Sequence, residues 1–364
     1  MANKAYKFRL YPNADQRMLL AKTFGCVRFI YNRMLGDKIA HYNETRGDLQ
    51  CYPSQYKAEF PFLKEVDSLA LVGAQNNLKT AYKNFFRDKT VGFPKYKRKR
   101  GSRKSYTTNC INGNIKLLDG YITLPKVGAV KMKQHRQIPG RYILKSVTVS
   151  QTPSGKYYAS ILFEYEHTVE PVEIKSIIGL DFSMAELYVD SDGREPQYSR
   201  YYRRSLDKLK RMSRSLSKMK KFSQNWYKQK RKIAVLHEKI ANQRKDFLHK
   251  ESRKIANSYD LVGVEDLNMK AMSQALNFGK SVSDNAWGIF RTLLKYKLDD
   301  MGKYFVTIDK WFPSSKLCNI CGYKNDALDL SVRDWICPDC GTHHDRDINA
   351  AVNIKNEAVR IVTA

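Results

Sequence analysis

The stretch Cys318-Asn319-Ile320-Cys321-Gly322, with Cys337-Pro338-Asp339-Cys340-Gly341 and then Asp345-Arg346-Asp347-Ile348-Asn349-Ala350-Ala351, decides how this chain is read. Fifteen residues separate the two Cys-x-x-Cys pairs. That is zinc-ribbon spacing: each pair offers two thiolates from a tight turn, and two turns face to face make a tetrahedral sulfur cage for Zn²⁺. Gly322 and Gly341 directly follow the second cysteine of each pair, where the chain must turn sharply. Iron in a rubredoxin-like site uses the same ligands. Redox or disulfide cysteines are the other alternative, and the doubled spacing favours the metal. His343 and His344 follow the last pair, but four cysteines already fill a cage, so both read as structural or solvent-exposed.

Working outward, the 364 residues suffice for two or three domains, and a hydrophobic content of 42% supports real cores. No run of eighteen apolar residues is present, so no membrane partner is expected. The opening MANKAYKFRLYPN does not read as a secretory signal. The scattered Cys26, Cys51 and Cys110 argue for a reducing cytoplasm. A net charge of +29, spread along the chain with 12% aromatic residues, points to a polyanion lying in a long basic groove.

The pattern divides into three blocks. Lys4 to Leu10 reads as a strand, after which residues 14–90 look helical, with Asn13 or Asp15 as the first cap and a helix pair running through Leu69 to Phe86. Gln75, Asn76 and Lys79 share one helix there and suit base edges or phosphates. Lys95-Tyr96-Lys97-Arg98-Lys99-Arg100 is a basic loop whose Tyr96 is available for stacking. From about 104 to 168 the pattern alternates at period two, with Thr152-Pro153-Ser154-Gly155 as a hairpin turn. This predicts a small antiparallel sheet or barrel, completed by the first strand, with the helical block inserted.

In the third block, Ile177 to Ser183 reads as a buried strand, residues 186–189 as a second one, and Arg203 to Lys254 as two amphipathic helices joined near Phe222–Asn225. Those helices carry 19 Lys or Arg against 4 Asp or Glu, an imbalance that repels itself without an anionic partner. A strand at Asp260–Glu265, a loop to about Val282, a helix bearing Trp287, a strand from Tyr304 to Trp311, the ribbon and a helix from Asp347 complete the block. Asp181 and Glu265 each end a buried strand, and Asp347 opens the last helix. Acids meeting at one sheet edge repel unless they share cations. Two Mg²⁺ ions suit such carboxylates and a phosphodiester substrate. Singly, each acid reads more simply as a turn or cap residue, and Asp266 and Asp345 lie close by as decoys.

The third block resembles the RuvC-type, RNase H-like nuclease domain of TnpB proteins, the transposon-encoded RNA-guided DNA endonucleases related to type V CRISPR effectors. The matching stretches are Gly179-Leu180-Asp181, the run from Asn242 to Lys250 that includes Arg244 and Lys245, Val264-Glu265-Asp266-Leu267, Trp311 to Lys316, the four cysteines and Asp345 to Ile354. Phe8-Arg9-Leu10-Tyr11-Pro12 and Gly92-Phe93-Pro94-Lys95 also resemble that family. The segment Phe182-Ser183-Met184-Ala185-Glu186-Leu187 departs from the more common Leu-Gly form.

The resemblance implies an α+β multidomain fold. Residues 1–13 and 91–172 would form a wedge-like β-barrel and residues 14–90 a helical recognition domain. A RuvC-like α/β nuclease domain would span 173–364, with a zinc ribbon inserted at 314–344. It implies Asp181, Glu265 and Asp347 as catalytic acids on two Mg²⁺, and Cys318, Cys321, Cys337 and Cys340 on one structural Zn²⁺. Lys95 to Arg100, Gln75, Asn76, Lys79, Arg244 and Lys245 are the expected nucleic-acid contacts. The implied partners are a guide RNA from the transposon right end and double-stranded target DNA beside a short transposon-adjacent motif. Nothing in the sequence selects a monomer or a dimer. A DNA-joining transposase, a nuclease-silent RNA-guided repressor and a guide-free junction resolvase are the competing functions.

Overall fold

The computed structural model describes residues 1–364 except 101, 102, 276–278, 280–283 and 330. It divides into two compact units, Met1–His167 and Thr168–Ala364.

In the first unit, β1 (Ala2–Tyr11) is followed by α1 (Ala14–Thr45) and α2 (Ser68–Arg87). Then come β2 (Lys104–Asn109), β3 (Lys116–Leu118), β4 (Tyr121–Leu124), β5 (Gly128–Lys133), β6 (Ile143–Gln151) and β7 (Tyr157–Tyr165). The seven strands make one antiparallel sheet in the order β2-β6-β7-β1-β5-β4-β3. It is open, with β2 and β3 at its edges, so the strands expected as a barrel form a half-barrel. Alternation explains the sheet: Tyr157, Ala159, Ile161, Phe163 and Tyr165 point into the core while their neighbours do not.

Asn13 caps α1 in a reciprocal box with Gln16, each side chain accepting from the other's backbone N–H at 2.9 and 3.0 Å. The expected helix pair is one helix, α2, preceded by two short 3₁₀ turns at Pro53–Lys57 and Pro61–Glu65. Asp67 caps α2 through the N–H of Leu69 at 2.9 Å and accepts the Thr108 hydroxyl of β2 at 2.5 Å, which fixes the helix to the sheet.

The second unit holds β8 (Ile177–Ser183), β9 (Leu187–Asp190), α3 (Tyr201–Ser217), α4 (Gln224–Ser258), β10 (Leu261–Glu265), α5 (Met269–Ala275) and α6 (Trp287–Asp299). It continues with β11 (Tyr304–Ile308), β12 (Asp334–Ile336), β13 (His343–Asp345) and α7 (Arg346–Thr363). Helix α5 occupies part of the expected loop before α6, and Val282 lies outside the described residues. Strand β11 stops at Ile308, short of Trp311. Asp309 closes a turn there, accepting from the Trp311 N–H at 2.7 Å.

The sheet order is β11-β10-β8-β9, with β8, β10 and β11 parallel and β9 antiparallel to β8. One face packs Ile178, Leu180, Val262 and Val264 against Trp287, Phe290 and Leu294 of α6 and Leu248 and Ile255 of α4. The other face belongs to α7. Gly179 and Gly263 are register partners, and both lie under that helix. A Cβ on Gly179 would stand 2.0 Å from the Ala351 carbonyl, and one on Gly263 would stand 2.7 Å from the Ala358 Cβ. The two glycines form a trough that lets a helix with small residues at Ala351 and Ala358 sit on the backbone of β8 and β10. No helix among the described residues is long and apolar enough to cross a membrane.

Asp260 fastens the start of β10 to the start of β8. It accepts from the Ser176 hydroxyl at 2.8 Å and from the N–H groups of Ser176 and Lys175 at 3.0 and 3.2 Å, and it pairs with Lys303 at 3.3 Å. Burial pushes this carboxyl up, but the donors outweigh it and hold the pKa at about 2. A depressed carboxylate stabilises the fold above its unfolded value of 3.8, and the contribution is lost as pH falls through about 2. After a discount for solvent screening, Asp260→Asn is expected to cost about 1–2 kcal/mol near neutral pH. Urea unfolding should show the gap between the two proteins closing as pH approaches 2.

Candidate active site and metal centre

Strand parity and the glycine trough assemble the acidic site. Side chains on a strand repeat every second residue. Asp181 therefore shares the α7 face with Gly179, and Glu265 shares it with Gly263. Glu265 ends β10, whereas β8 runs on to Ser183, and Asp181 comes directly after Leu180, the last residue of β8 that pairs with β10. Two residues along a strand cover about 6.6 Å and one helical turn about 5.4 Å. Asp347, one turn before Ala351, thus comes level with Asp181. Asp345 takes the cap of α7, accepting from the N–H groups of Asp347 and Ile348 at 2.9 Å each. Capping by Asp345 leaves the Asp347 carboxylate for another use, against the simple reading of Asp347 as the cap. The second decoy, Asp266, faces Arg291 at 3.4 Å.

The three carboxyls differ in their electrostatic surroundings. The Asp181 carboxyl is raised well above the usual carboxylate range, first by burial and then by the charges of Glu265 and Asp347, with Arg346 opposing. Burial also raises Glu265, opposed by the Ser314 hydroxyl that donates to it. Arg333, just before β12, donates to both oxygens of Asp347 at 3.0 and 2.9 Å. The segment from Ser314 to the second cysteine pair therefore supplies a partner to two of the three acids.

Two asparagines of α7 anchor that segment. Asn353 donates to the carbonyls of Ser314 and Leu317 at 2.8 and 2.7 Å, and Asn349 donates to Leu317 at 2.7 Å and accepts the Asn319 N–H at 3.0 Å. Both are buried. They explain two polar positions inside an otherwise apolar helix face, and they carry Ser314 to Glu265. The hairpin beyond Asp181 is held by Asn285, which donates to the carbonyls of Ser183 and Met184 at 2.9 Å each. Sequence reading missed Ser314, Arg333, Asn285, Asn349 and Asn353 as site-forming residues. Ser314, Asn349 and Asn353 fall inside matching stretches, whereas Arg333 and Asn285 carry no local signal.

The thiols of Cys318, Cys321, Cys337 and Cys340 all lie within 4.8 Å of one another. Among the described residues they form the set already compact enough to hold one ion, and the three acids are less tightly drawn together. The Sγ pairs Cys318–Cys340 and Cys321–Cys337 are each 3.6 Å apart. A tetrahedron with metal–sulfur bonds of about 2.3 Å has edges of about 3.8 Å, so the cage fits zinc. The two knuckles repeat one geometry: Gly322 N–H bonds the Cys318 carbonyl and Gly341 N–H the Cys337 carbonyl, both at 2.9 Å. Both glycines have positive φ, +78° and +71°. His343 is exposed, but His344 is buried with Nε2 3.1 Å from the Cys318 sulfur and its ring against Trp335. His344 thus packs against one thiol of the cluster, which suits the outer partner of a metal site.

The expected nucleic-acid contacts divide. Gln75 is only 7% exposed and donates to the Cys51 carbonyl at 2.7 Å, so it is a structural residue. Lys97 is half-buried, its ammonium 3.7 Å from the Tyr31 ring centre and its backbone N–H on Asn32, so it secures the loop to α1 and is not offered to a phosphate. Asn76, Lys79, Lys95, Tyr96, Arg98, Lys99, Arg100 and Lys245 are exposed, and Arg244 is half-buried.

Family models match three stretches. Residues 160–276 match a family described as a probable transposase, 287–354 the Cas12f1-like TNB domain, and 1–47 a helix-turn-helix domain. That last stretch folds here as β1 and the single long α1. Over 361 residues the chain is 36% identical to a putative RNA-guided DNA endonuclease of Streptomyces pristinaespiralis, covering 96% of this chain and 88% of that protein. The chain belongs to the TnpB family. InsQ of Escherichia coli K12, another putative RNA-guided DNA endonuclease, is 32% identical across 96% of this chain and 91% of its own. A cryo-EM structure of a Cas12f1–sgRNA–target DNA complex matches 98% of this chain and 99% of its own, with a TM-score of 0.59 at 13% identity, which shows a shared fold. In this TnpB-family chain, the TNB match runs from the start of α6 through the cysteines to Ile354 of α7. It thus includes Arg333, Ser314 and Asp347 in one stretch.

Proposed function

We propose that this chain is an RNA-guided endonuclease that cuts double-stranded DNA beside a short transposon-adjacent motif, with its guide drawn from the transposon right end. What supports the reading is that α7, seated on the Gly179–Gly263 trough, carries Asp347 in its first turn, while Asp181 is buried and raised by the charges of Glu265 and Asp347. Residues 173–364 act as a RuvC-like nuclease domain: a β8–β9 hairpin, two parallel strands and a covering helix with acids at the first, middle and last elements. Residues 314–344 act as its zinc ribbon. Residues 14–90 serve as recognition domain, and 1–13 with 91–172 as wedge.

Asp181, Glu265 and Asp347 would hold Mg²⁺, an oxygen-preferring cation that removes their mutual repulsion. When bound, a pair of such ions supplies an activated water and stabilises the leaving oxygen of the phosphodiester. The chain's own residues do the rest. Ser314 orients Glu265, Arg333 orients Asp347 and brings a guanidinium to the edge a phosphate must approach, and Asn285 fixes the turn beyond Asp181. Base pairing with the guide supplies sequence choice, and the protein reads a short motif and duplex shape.

The test is expression with the native downstream DNA, sequencing of the RNA that co-purifies, and incubation of target DNA with Mg²⁺. Cutting that depends on that RNA, without joining of ends, supports the reading. RNA-independent cutting favours a resolvase, joined products a transposase. Asn76 and Lys79 remain as motif readers on α2, and replacing both by Ala is expected to shift or relax the flanking motif recovered from a randomised library. An unchanged motif would remove α2 from that role.

A further inference from the structure

The hairpin between α3 and α4 ends in an aromatic cluster that the nuclease reading leaves unused. Phe222 is 51% exposed and Tyr227 48% exposed, with Trp226 between them. The Phe222 and Trp226 ring centres are 5.6 Å apart, those of Trp226 and Tyr227 5.1 Å, and the Lys230 ammonium lies 4.8 Å from the Trp226 ring. Phe222 has φ +69°, a conformation costly for a bulky side chain. Glycine would adopt it freely. On the same hairpin, the last turns of α3 and the two residues after it line a depression of about 580 Å³ with Arg211, Arg214, Ser215, Lys218 and Met219.

We infer that this tip is a binding site for unpaired nucleotides of the guide RNA, with bases stacked on Phe222 and Tyr227 and phosphates held in the Arg211–Arg214–Lys218 depression. Rings beside cations are the elements of single-strand binding without sequence readout. Duplex RNA hides its base faces, so only unpaired bases can use them. Twenty-four residues of α4 separate Gln224 from Leu248 in the core, on the order of 35 Å along the helix. A strand to be cut must reach the carboxylates, whereas a guide is retained throughout, so RNA is the occupant. The inference rests on the RNA-guided reading and assigns a place to part of that RNA.

The experiment uses the full chain, without Mg²⁺, and three probes: a single-stranded oligoadenylate RNA, its deoxy counterpart and a blunt RNA duplex. The Phe222→Gly/Tyr227→Ala variant is expected to bind the single-stranded RNA about 5- to 150-fold more weakly. Its salt dependence and duplex affinity should be unchanged, and its melting temperature should not fall, because glycine relieves the turn. Phe222→Tyr should retain tight binding. Arg211→Gln/Arg214→Gln should instead flatten the salt dependence, by about 0.7 in log–log slope per phosphate released. Unaltered affinity for the RNA strand, an equal loss on the duplex, or a loss confined to the deoxy strand would each overturn the assignment. Because binding is read without cleavage, failure here is distinct from failure of the nuclease reading, which the cutting assay tests.

Discussion

Asp181→Asn is expected to lower DNA cutting by at least about a thousandfold while the protein still co-purifies with its RNA. Of the three acids, Asp181 is the one raised by both of the others as well as by burial. The amide keeps shape and volume but cannot carry the charge that gathers cations at this edge. The same substitution has a second, opposite consequence. A carboxylate raised in the folded state destabilises the metal-free fold as pH climbs above its unfolded value of 3.8. Metal-free Asp181→Asn should therefore melt higher than the parent protein at neutral pH, and the difference should shrink on acidification. A variant that cuts normally would remove Asp181 from the reaction. One that melts lower at neutral pH would mean that the acids do not crowd one another.

Cys337→Ser, or removal of zinc by a chelator, is expected to abolish cutting as completely, by a different route. Structural zinc in small modules contributes about 10–16 kcal/mol of apparent binding energy, and such modules unfold without it. The stretch that would unfold here includes Arg333, which grips Asp347, and Ser314, which grips Glu265. Loss of the cage should thus disorganise two acids while leaving the α4–α6 core and the sheet intact. The check pairs a zinc assay and far-UV circular dichroism with the cutting assay. Retained cutting after verified loss of zinc would show that the ribbon does not support the site.

Much of this molecule is legible in the sequence where local chemistry is self-sufficient. The cysteine knuckles are such a case, because each forms within five residues and its glycine is dictated by the turn. The alternation of β7 and the capping of α1 are others. What stays hidden is whatever depends on residues far apart. Gln75 looks like a polar helix-face residue, and only the fold discloses the Cys51 carbonyl that consumes it. Lys97 sits in a run of cations and reads as one of them until Tyr31 is placed beneath it. Arg333 and Asn285 touch the site only through tertiary placement, so their own neighbours in sequence say nothing of it. The three acids stand out in the sequence by their positions near element ends, but what lets the helix bearing Asp347 lie against β8 and β10 is Gly179 and Gly263. Those look like ordinary strand glycines until α7 lies across them.

That trough also sets an order of events during synthesis. Helix α7 is made after every strand it rests on, so an emerging chain carries two of the acids and its full array of basic helices before the third acid arrives. A chain stopped just short of α7 lacks Asp347, leaves the backbone of Gly179 and Gly263 uncovered, and loses the two asparagines that hold Ser314 and Leu317.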